Sequence, residues 1–112
     1  MAIKLNFTPR FQRELKILVR KYPSLKKEFE ALANVLLIAP QTGTPLGMDC
    51  YKIRLAIKSK GRGKSGGARI ITYVQIISDN LYFLTIYDKS EQETIYEATL
   101  AEIIRTIKDD EQ

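Results

Sequence analysis

The strongest constraint on the fold is a pair of apolar runs joined by a tight turn. Arg69 to Ile77 reads R-I-I-T-Y-V-Q-I-I, and Leu81 to Tyr87 reads L-Y-F-L-T-I-Y, with S-D-N between them. β-Branched and aromatic residues favour strands, and such a turn makes the two runs partners in a hairpin. Apolar residues occupy both faces of the first run, which predicts a strand at the centre of a sheet.

Two further strands are predicted from alternating apolar and polar residues. Ile3–Phe7 is the first strand of the chain, and Tyr51–Leu55 is the second, with Lys52 and Arg54 on its outward face. Ala39–Gly47 is rich in proline and glycine, so we expect a loop there.

Three amphipathic helices complete the predicted elements. Thr8 and Pro9 favour the start of the first helix, because threonine caps a helix and proline fits its first position. Ser24 is expected to cap the second helix, and Thr99 with Glu102 to form a capping box for the last. The apolar stripes of these helices are Phe11, Leu15, Leu18 and Val19; Leu25, Phe29, Leu32 and Leu36; and Leu100, Ile103, Ile104 and Ile107.

The whole chain of 112 residues, with 45% apolar residues, suits one domain spanning positions 1–112 with one core. The predicted order is β-α-α-β-β-β-α: a small mixed or antiparallel sheet of about four strands with helices packed on one face, in the α+β class. No apolar run approaches the roughly 20 residues that cross a bilayer. The N-terminal residues turn polar too early for a signal peptide, so we expect a cytoplasmic protein.

The basic residues are concentrated in one segment. From Cys50 to Ser78 there are seven lysines and arginines and no acid, so with a net charge of +5 the rest of the chain sums to 5 − 7 = −2. Most of these cations lie in a glycine-rich stretch from Lys58 to Arg69, K-S-K-G-R-G-K-S-G-G-A-R. This distribution is typical of a phosphate-binding face, although a solvated basic loop has the same composition.

The residue types exclude several kinds of site. The chain has no histidine, which removes the usual general base near neutral pH and the commonest metal ligand. Its lone Cys50 can form neither an intrachain disulfide nor a thiolate cluster, so we expect no metal and no cofactor. Gly63-Lys64-Ser65 resembles the end of a phosphate loop, but Lys58 stands where that pattern needs its first glycine, and a strand follows in place of a helix.

A site for a polyanion is expected where the second, third and fourth strands meet the glycine-rich stretch. Such a face would hold single-stranded or looped nucleic acid, with tyrosines available to stack on bases. Each tyrosine is equally compatible with half-buried packing. The residues predicted to bind RNA or the ribosome are Lys52, Lys58, Lys60, Arg62, Tyr73 and Tyr87.

Three stretches together resemble the RelE/HigB superfamily of bacterial toxin–antitoxin modules, most of all the HigB-like branch related to phage Gp49 proteins. They read K-I-R-L, G-R-G-K-S-G-G-A-R-I-I-T-Y-V and L-T-I-Y-D-K-S-E-Q-E-T-I. N-F-T-P-R-F-Q-R-E-L-K, from Asn6 to Lys16, is similar to the first strand and helix of that family. The resemblance covers about the whole domain and implies a compact sheet flanked by helices.

The same resemblance implies a ribosome-dependent endoribonuclease that cuts mRNA in the ribosomal A site. It also implies a cognate antitoxin as partner, for which we expect a helix-turn-helix and a toxin–antitoxin hetero-oligomer. RNA can be cleaved by its own 2′-OH, so the protein must stabilise a dianionic transition state and manage two protons, which needs no metal.

The resemblance assigns roles to several residues. Arg69 would contact the scissile phosphate, Lys52 and Arg54 would form the preceding basic pair, and Lys89 would be the basic residue after the fourth strand. The general base stays open between a lysine whose pKa is lowered by neighbouring cations and Glu91, which is also compatible with a plain surface carboxylate. The candidate catalytic residues are Arg69, Lys89, Lys64, Arg54, Glu91 and Tyr96.

Two other functions fit the sequence. ParE-like toxins share the expected fold and bind DNA gyrase, in which case the basic patch would contact an acidic protein surface. A non-catalytic RNA-binding protein would bind with a steep dependence on salt and cleave nothing. The density of cations favours RNA over gyrase.

Overall fold

The chain forms a five-stranded sheet and three α-helices in the computed structural model, which describes residues 2–61, 66–92 and 94–111. The strand order is β1-β5-β4-β3-β2, with β1 parallel to β5 and the other neighbours antiparallel. None of the helices in this described part has the length and hydropathy to cross a bilayer. In chain order the elements are β1 Lys4–Phe7, α1 Pro9–Lys21, α2 Leu25–Ile38, β2 Thr44–Gly47, β3 Cys50–Leu55, a 3₁₀ turn at Lys58–Lys60, β4 Ala68–Gln75, β5 Asn80–Asp88 and α3 Glu97–Asp110.

The α+β class and the central hairpin predicted from the sequence are confirmed. β4 pairs with β3 on one side and β5 on the other, and seven of its eight residues are buried. The strand is shorter than predicted, because Ile76 and Ile77 lie exposed in the turn that leads to β5. Asp79 closes that turn with a φ of +56°, and its N–H donates to the carbonyl of Ile76 at 3.2 Å.

The sheet has one strand more than the sequence predicted. Thr44–Gly47, expected as part of a loop, forms the short edge strand β2 beside β3. Proline is tolerated there because an edge strand leaves one row of backbone groups unpaired. Gly43 precedes it with a φ of +113°, and a Cβ at Gly43 would lie 2.6 Å from the carbonyl oxygen of Lys52. Only glycine therefore allows this close approach.

The helices cover both faces of the sheet, whereas the sequence pattern predicted them on one face. Ile70 belongs to the core under α1 and α2, and Ile71 to the core under α3. Successive side chains of a strand point to opposite faces, so these are two separate layers. The prediction failed because the apolar residues on both faces of β4 require a cover on each side. The first layer contains Phe11, Leu18, Leu25, Phe29, Leu36 and Phe83, and the second contains Cys50, Tyr73, Tyr87, Leu100, Ile104 and Ile107.

The helix starts follow the predictions only in part. The Thr8 hydroxyl accepts from the N–H of Phe11 at 3.2 Å, which confirms the predicted cap of α1. Ser24 precedes α2 without capping it through its side chain, since its hydroxyl donates to Glu28 Oε1 at 3.0 Å. The capping box was wrong, because α3 begins at Glu97 and Thr99 lies inside the helix.

Candidate functional site

Three polar residues form a row across the sheet. The strand register places Arg54 of β3 opposite Arg69 of β4, and Arg69 opposite Tyr87 of β5. Residues directly opposed on neighbouring strands point to the same face, with Cβ atoms about 4.5–5.5 Å apart. We call Arg54, Arg69 and Tyr87 the cross-strand row. It lies on the face that α3 covers further along, because Tyr87 belongs to the α3 core.

Arg69 is the buried cation of the row. It is 4% exposed, and its Nη1 donates to the carbonyl of Ala68 at 3.1 Å. Burial lowers the pKa of Arg69, and the positive charge of Arg54 lowers it further. Like charges directly opposed in a sheet are destabilising. An anion bound beside the exposed Arg54 would relieve this repulsion.

Tyr87 places a buried hydroxyl at the end of the row. The residue is 6% exposed, and its hydroxyl has no hydrogen-bond partner among the described residues. Burial raises the pKa of Tyr87, and the charge of Arg69 opposes that rise. Leaving a buried hydroxyl unsatisfied costs roughly 1–3 kcal/mol. The row therefore places a buried, neutral hydroxyl beside two cations.

Two lysines flank the row. Lys52 lies on β3 two residues before Arg54, so the two side chains point to the same face, and Lys52 is half-buried. Lys89 follows β5, is half-buried, and donates its backbone N–H to the carbonyl of Gly67 at 3.0 Å. The pairing of the strands thus brings five of the predicted site residues to one end of the sheet: Lys52, Arg54, Arg69, Tyr87 and Lys89.

Gly67 allows the backbones of β3 and β4 to approach closely at the start of the row. A Cβ at this position would lie 2.1 Å from the carbonyl oxygen of Leu55 and 3.1 Å from the Cα of Ala56. Both are backbone atoms, so a side chain would push the two strands apart. A glycine here therefore maintains the position of Arg69 relative to Arg54.

Lys60 forms a buried ion pair with Asp88. Its Nζ donates to Asp88 Oδ1 and to the Ser90 hydroxyl, and the two charged side chains are 9% and 1% exposed. The hydroxyl of Tyr22 donates to the second carboxylate oxygen at 2.8 Å. Burial raises the pKa of Asp88, but the hydrogen bonds from Lys60, Ser90 and Tyr22 outweigh it, so this pKa lies below its usual range.

This ion pair changes the interpretation of the basic stretch. Lys60 was expected to hold RNA, yet its charge is neutralised inside the fold. The 3₁₀ turn that carries it is fixed to α2, because the N–H of Lys58 donates to Glu28 Oε2 at 2.7 Å and the N–H of Ser59 donates to the Ser24 hydroxyl at 3.0 Å. The side chain of Lys58 is exposed. Arg62 and Lys64 lie outside the described residues.

Comparison with known proteins bears on the fold. No protein-family model matches the sequence. A mutant of the E. coli toxin RelE in the free state superposes with a TM-score of 0.63 at 21% identity, covering 96% of this chain and 99% of that chain. The intact E. coli RelBE toxin–antitoxin complex gives a TM-score of 0.59 at 21% identity, covering 78% of this chain and 96% of that chain.

The chain has the RelE fold. This confirms the fold that the sequence resemblance implied. The finer assignment to the HigB-like branch stays a prediction, because a sequence identity of 21% to these structures shows only that the fold is shared.

The remaining predicted site residues take different places on this RelE fold. Tyr73 is buried under α3, with its ring 6.1 Å from that of Tyr82. Neither Tyr73 nor Tyr87 therefore presents the exposed ring that base stacking needs, contrary to the prediction. Tyr96 is exposed at the start of α3. Glu91 is exposed and accepts a hydrogen bond from Lys21 Nζ at 2.6 Å, which joins it to the end of α1.

Sequence reasoning missed Asp88 and Tyr22. Both matter to the site because they hold the start of the basic stretch in place through Lys60. A signal was present in the sequence: Asp88 is an acid at the end of an otherwise apolar strand, directly before Lys89. A carboxylate can be buried in that position only if a cation or several hydrogen-bond donors pair with it.

Proposed function

We propose that the chain is the toxin of a toxin–antitoxin pair and acts as a metal-independent endoribonuclease that cleaves mRNA in the ribosomal A site. The observation that carries this proposal is the cross-strand row, which sets two guanidinium groups and a neutral tyrosine side by side. The RelE fold supports it, because the solved neighbours are a toxin and a toxin–antitoxin complex.

The row suits the charge that develops during RNA cleavage. The O2′–P bond forms as the P–O5′ bond breaks, and the phosphorane between them carries two negative charges. Exposed Arg54 would contact the phosphate, and Arg69 beneath it would supply a fixed charge in a site of low dielectric. Fixed donors of this kind need no reorganisation when the reaction occurs.

Two protons must also move. One leaves the 2′-OH and one reaches the departing 5′-oxygen. Lys52 and Lys89 flank the row, so their side chains are candidates for moving these protons. Lys64, Glu91 and Tyr96 stay candidates from the sequence.

Inducible expression of the chain alone, with mapping of mRNA 5′ ends, tests the function. We expect an early stop in translation and new 5′ ends at codons within translated regions. Arrest of replication with DNA damage and intact mRNA would instead indicate a ParE-like toxin that binds gyrase. Normal growth with intact mRNA would indicate a protein that only binds RNA.

A groove between α2 and β3 suits a segment of the antitoxin. Its volume is about 580 Å³, and its apolar lining includes Leu32 and Val35 of α2 with Leu55 of β3. The charged rim is net basic, because three cations outnumber one acid, Glu28, which accepts the backbone N–H of Lys58 and the Ser24 hydroxyl and keeps its charge. Lys27, Arg54 and Lys58 also line it. We therefore propose that an acidic segment with apolar anchors binds here and covers Arg54 of the row.

Val35→Glu tests this docking surface. Val35 is exposed in the groove, so the variant should fold and stay toxic, but its charge would repel an acidic partner and remove an apolar contact. We expect the antitoxin to bind about 2 kcal/mol more weakly, or roughly thirty-fold, when measured by calorimetry.

Ile38→Glu is the matched control for that experiment. Ile38 is an exposed apolar residue of the same helix, and it does not line the groove. Unchanged affinity in Val35→Glu, or an equal loss in both variants, would place the antitoxin elsewhere.

A further inference from the structure

α1 carries three exposed cations that the candidate site does not use. Arg13, Lys16 and Arg20 are spaced at i, i+3 and i+7, which puts them on one side of the helix. At 1.5 Å per residue they span roughly 10 Å. None of the three forms an ion pair with another residue in the described ranges. We call them the α1 stripe.

The acid of α1 is turned away from the stripe. Glu14 Oε1 accepts from the Thr85 hydroxyl at 2.6 Å and from the N–H of Ile86 at 3.3 Å. β1 pairs with β5 only as far as Phe83. Glu14 therefore accepts a hydrogen bond from a backbone N–H of β5 that lies beyond the end of this pairing. The carboxylate therefore has a structural role on β5 and does not neutralise the stripe, although its other oxygen contacts Arg10 at 3.4 Å.

Repulsion within the stripe is unfavourable for the helix, although Arg20 in the last turn complements the helix dipole. Like charges at i, i+3 and i, i+4 destabilise a helix by a few tenths of a kcal/mol per pair. The first turn also has no acid to complement the helix dipole, while Arg10 places a cation there. Packing of the buried face, through Phe11 and Leu18, does not require any of the stripe cations. Their concentration points to an anionic ligand.

The chemistry of the stripe favours a duplex backbone over a single strand. The aromatic residue of α1, Phe11, is fully buried, so the helix offers no ring for base stacking. The stripe is a straight line of cations on a rigid helix, and such a line can contact the regularly spaced phosphates of a duplex. α1 packs on the first core layer and the cross-strand row lies on the opposite face, so the stripe is separate from the row.

We propose that the α1 stripe is a second RNA-binding surface that holds the phosphate backbone of double-stranded RNA. Binding there is independent of cleavage at the cross-strand row. Duplex DNA presents the same phosphate chemistry, so both duplexes belong in the test. A vesicle with anionic lipid tests whether the stripe recognises a membrane surface instead.

The test compares two charge-matched double variants by fluorescence anisotropy with a short RNA duplex over a series of salt concentrations. Lys16→Gln/Arg20→Gln removes two stripe cations, and Lys4→Gln/Lys108→Gln removes two exposed cations elsewhere. Each pair lowers the net charge from +5 to 5 − 2 = +3. Circular dichroism checks that both variants keep their helices.

We expect the stripe variant to bind the RNA duplex roughly ten-fold or more weakly at moderate salt, with a slope of log K against log salt that is shallower by about 1.4–1.8. The control variant should bind the RNA duplex with an affinity within about two-fold of that of the unmodified chain. Equal losses in both variants, or no loss in either, would overturn the proposal. So would a stripe-dependent loss confined to the DNA duplex or to vesicles of phosphatidylglycerol.

The outcome is separable from the proposed function. Cleavage of mRNA on translating ribosomes is measured independently with the unmodified chain. Cleavage without stripe-dependent duplex binding would overturn the second surface alone. Stripe-dependent binding without cleavage would overturn the endoribonuclease alone.

Discussion

Arg69→Ala is expected to lower the rate of ribosome-dependent mRNA cleavage by about 10²- to 10³-fold, which corresponds to roughly 3–4 kcal/mol. The guanidinium lies in a buried part of the sheet opposite Arg54, where a fixed charge acts on a developing dianion with little screening. Single-turnover cleavage on programmed ribosomes measures the effect without product release. Induction of the variant should no longer arrest growth.

Two further variants make that result interpretable. Arg69→Lys keeps the charge but loses the planar fork of donors, so we expect partial recovery of the rate. Thr72→Val changes another buried residue of β4, whose hydroxyl has no partner among the described residues. We expect this variant to cleave mRNA at the rate of the unmodified chain. If a folded Arg69→Ala protein stays fully toxic, the cross-strand row is not the site of cleavage.

Asp88→Ala is expected to destabilise the fold by about 3–5 kcal/mol, because it leaves the ammonium of Lys60 buried without its counter-ion. The same change removes the acceptor of the Tyr22 hydroxyl. Chemical denaturation at neutral pH measures the loss. Glu91→Ala is the matched control, since it removes an exposed carboxylate paired with Lys21 and should cost less than about 1 kcal/mol.

The pH dependence of this difference provides a second test. The pKa of Asp88 lies lower in the folded chain than its ordinary value of 3.8. Its contribution to stability is therefore complete above the ordinary value and is lost as the pH falls through that value toward the folded pKa. The gap in unfolding free energy between the unmodified chain and Asp88→Ala should shrink in acid. A gap that stays constant into that range would contradict the ion-pair account.

The elements with uninterrupted periodicity could be predicted from the sequence. The runs Arg69–Ile77 and Leu81–Tyr87 gave the central hairpin within two residues at each end, and Thr8 with Pro9 marked the start of α1. β2 was missed because Pro45 and its neighbouring glycines are typical of a loop, and only pairing with β3 makes that stretch a strand. The start of α3 was misplaced because a capping-box pattern also occurs by chance inside a helix.

The site was predictable by residue type but not by arrangement. Arg54 and Arg69 could be identified from the sequence as candidate cations. That they lie directly opposite each other on neighbouring strands depends on the register of β3 and β4, which the sequence does not give. Lys60 has the same kinds of residue beside it in the sequence as the exposed Lys58, and the carboxylate that neutralises it lies 28 residues away. Burial of Tyr73 depends on α3, which packs from the far end of the chain. Long-range contacts of this kind carry no local signal.

The Asp88 carboxylate joins three connections of the chain: the α1–α2 turn through Tyr22, the 3₁₀ turn through Lys60, and the segment before α3 through Ser90. Tyr22 is 66 residues distant from it in sequence. Contacts of such high sequence separation require most loops to be closed first, whereas the β4–β5 hairpin can form locally. We therefore expect the Asp88 contacts to be largely absent from the folding transition state, so that losing them speeds unfolding and hardly slows folding. This one carboxylate would then govern how long a folded molecule persists, while the hairpin governs how quickly it forms.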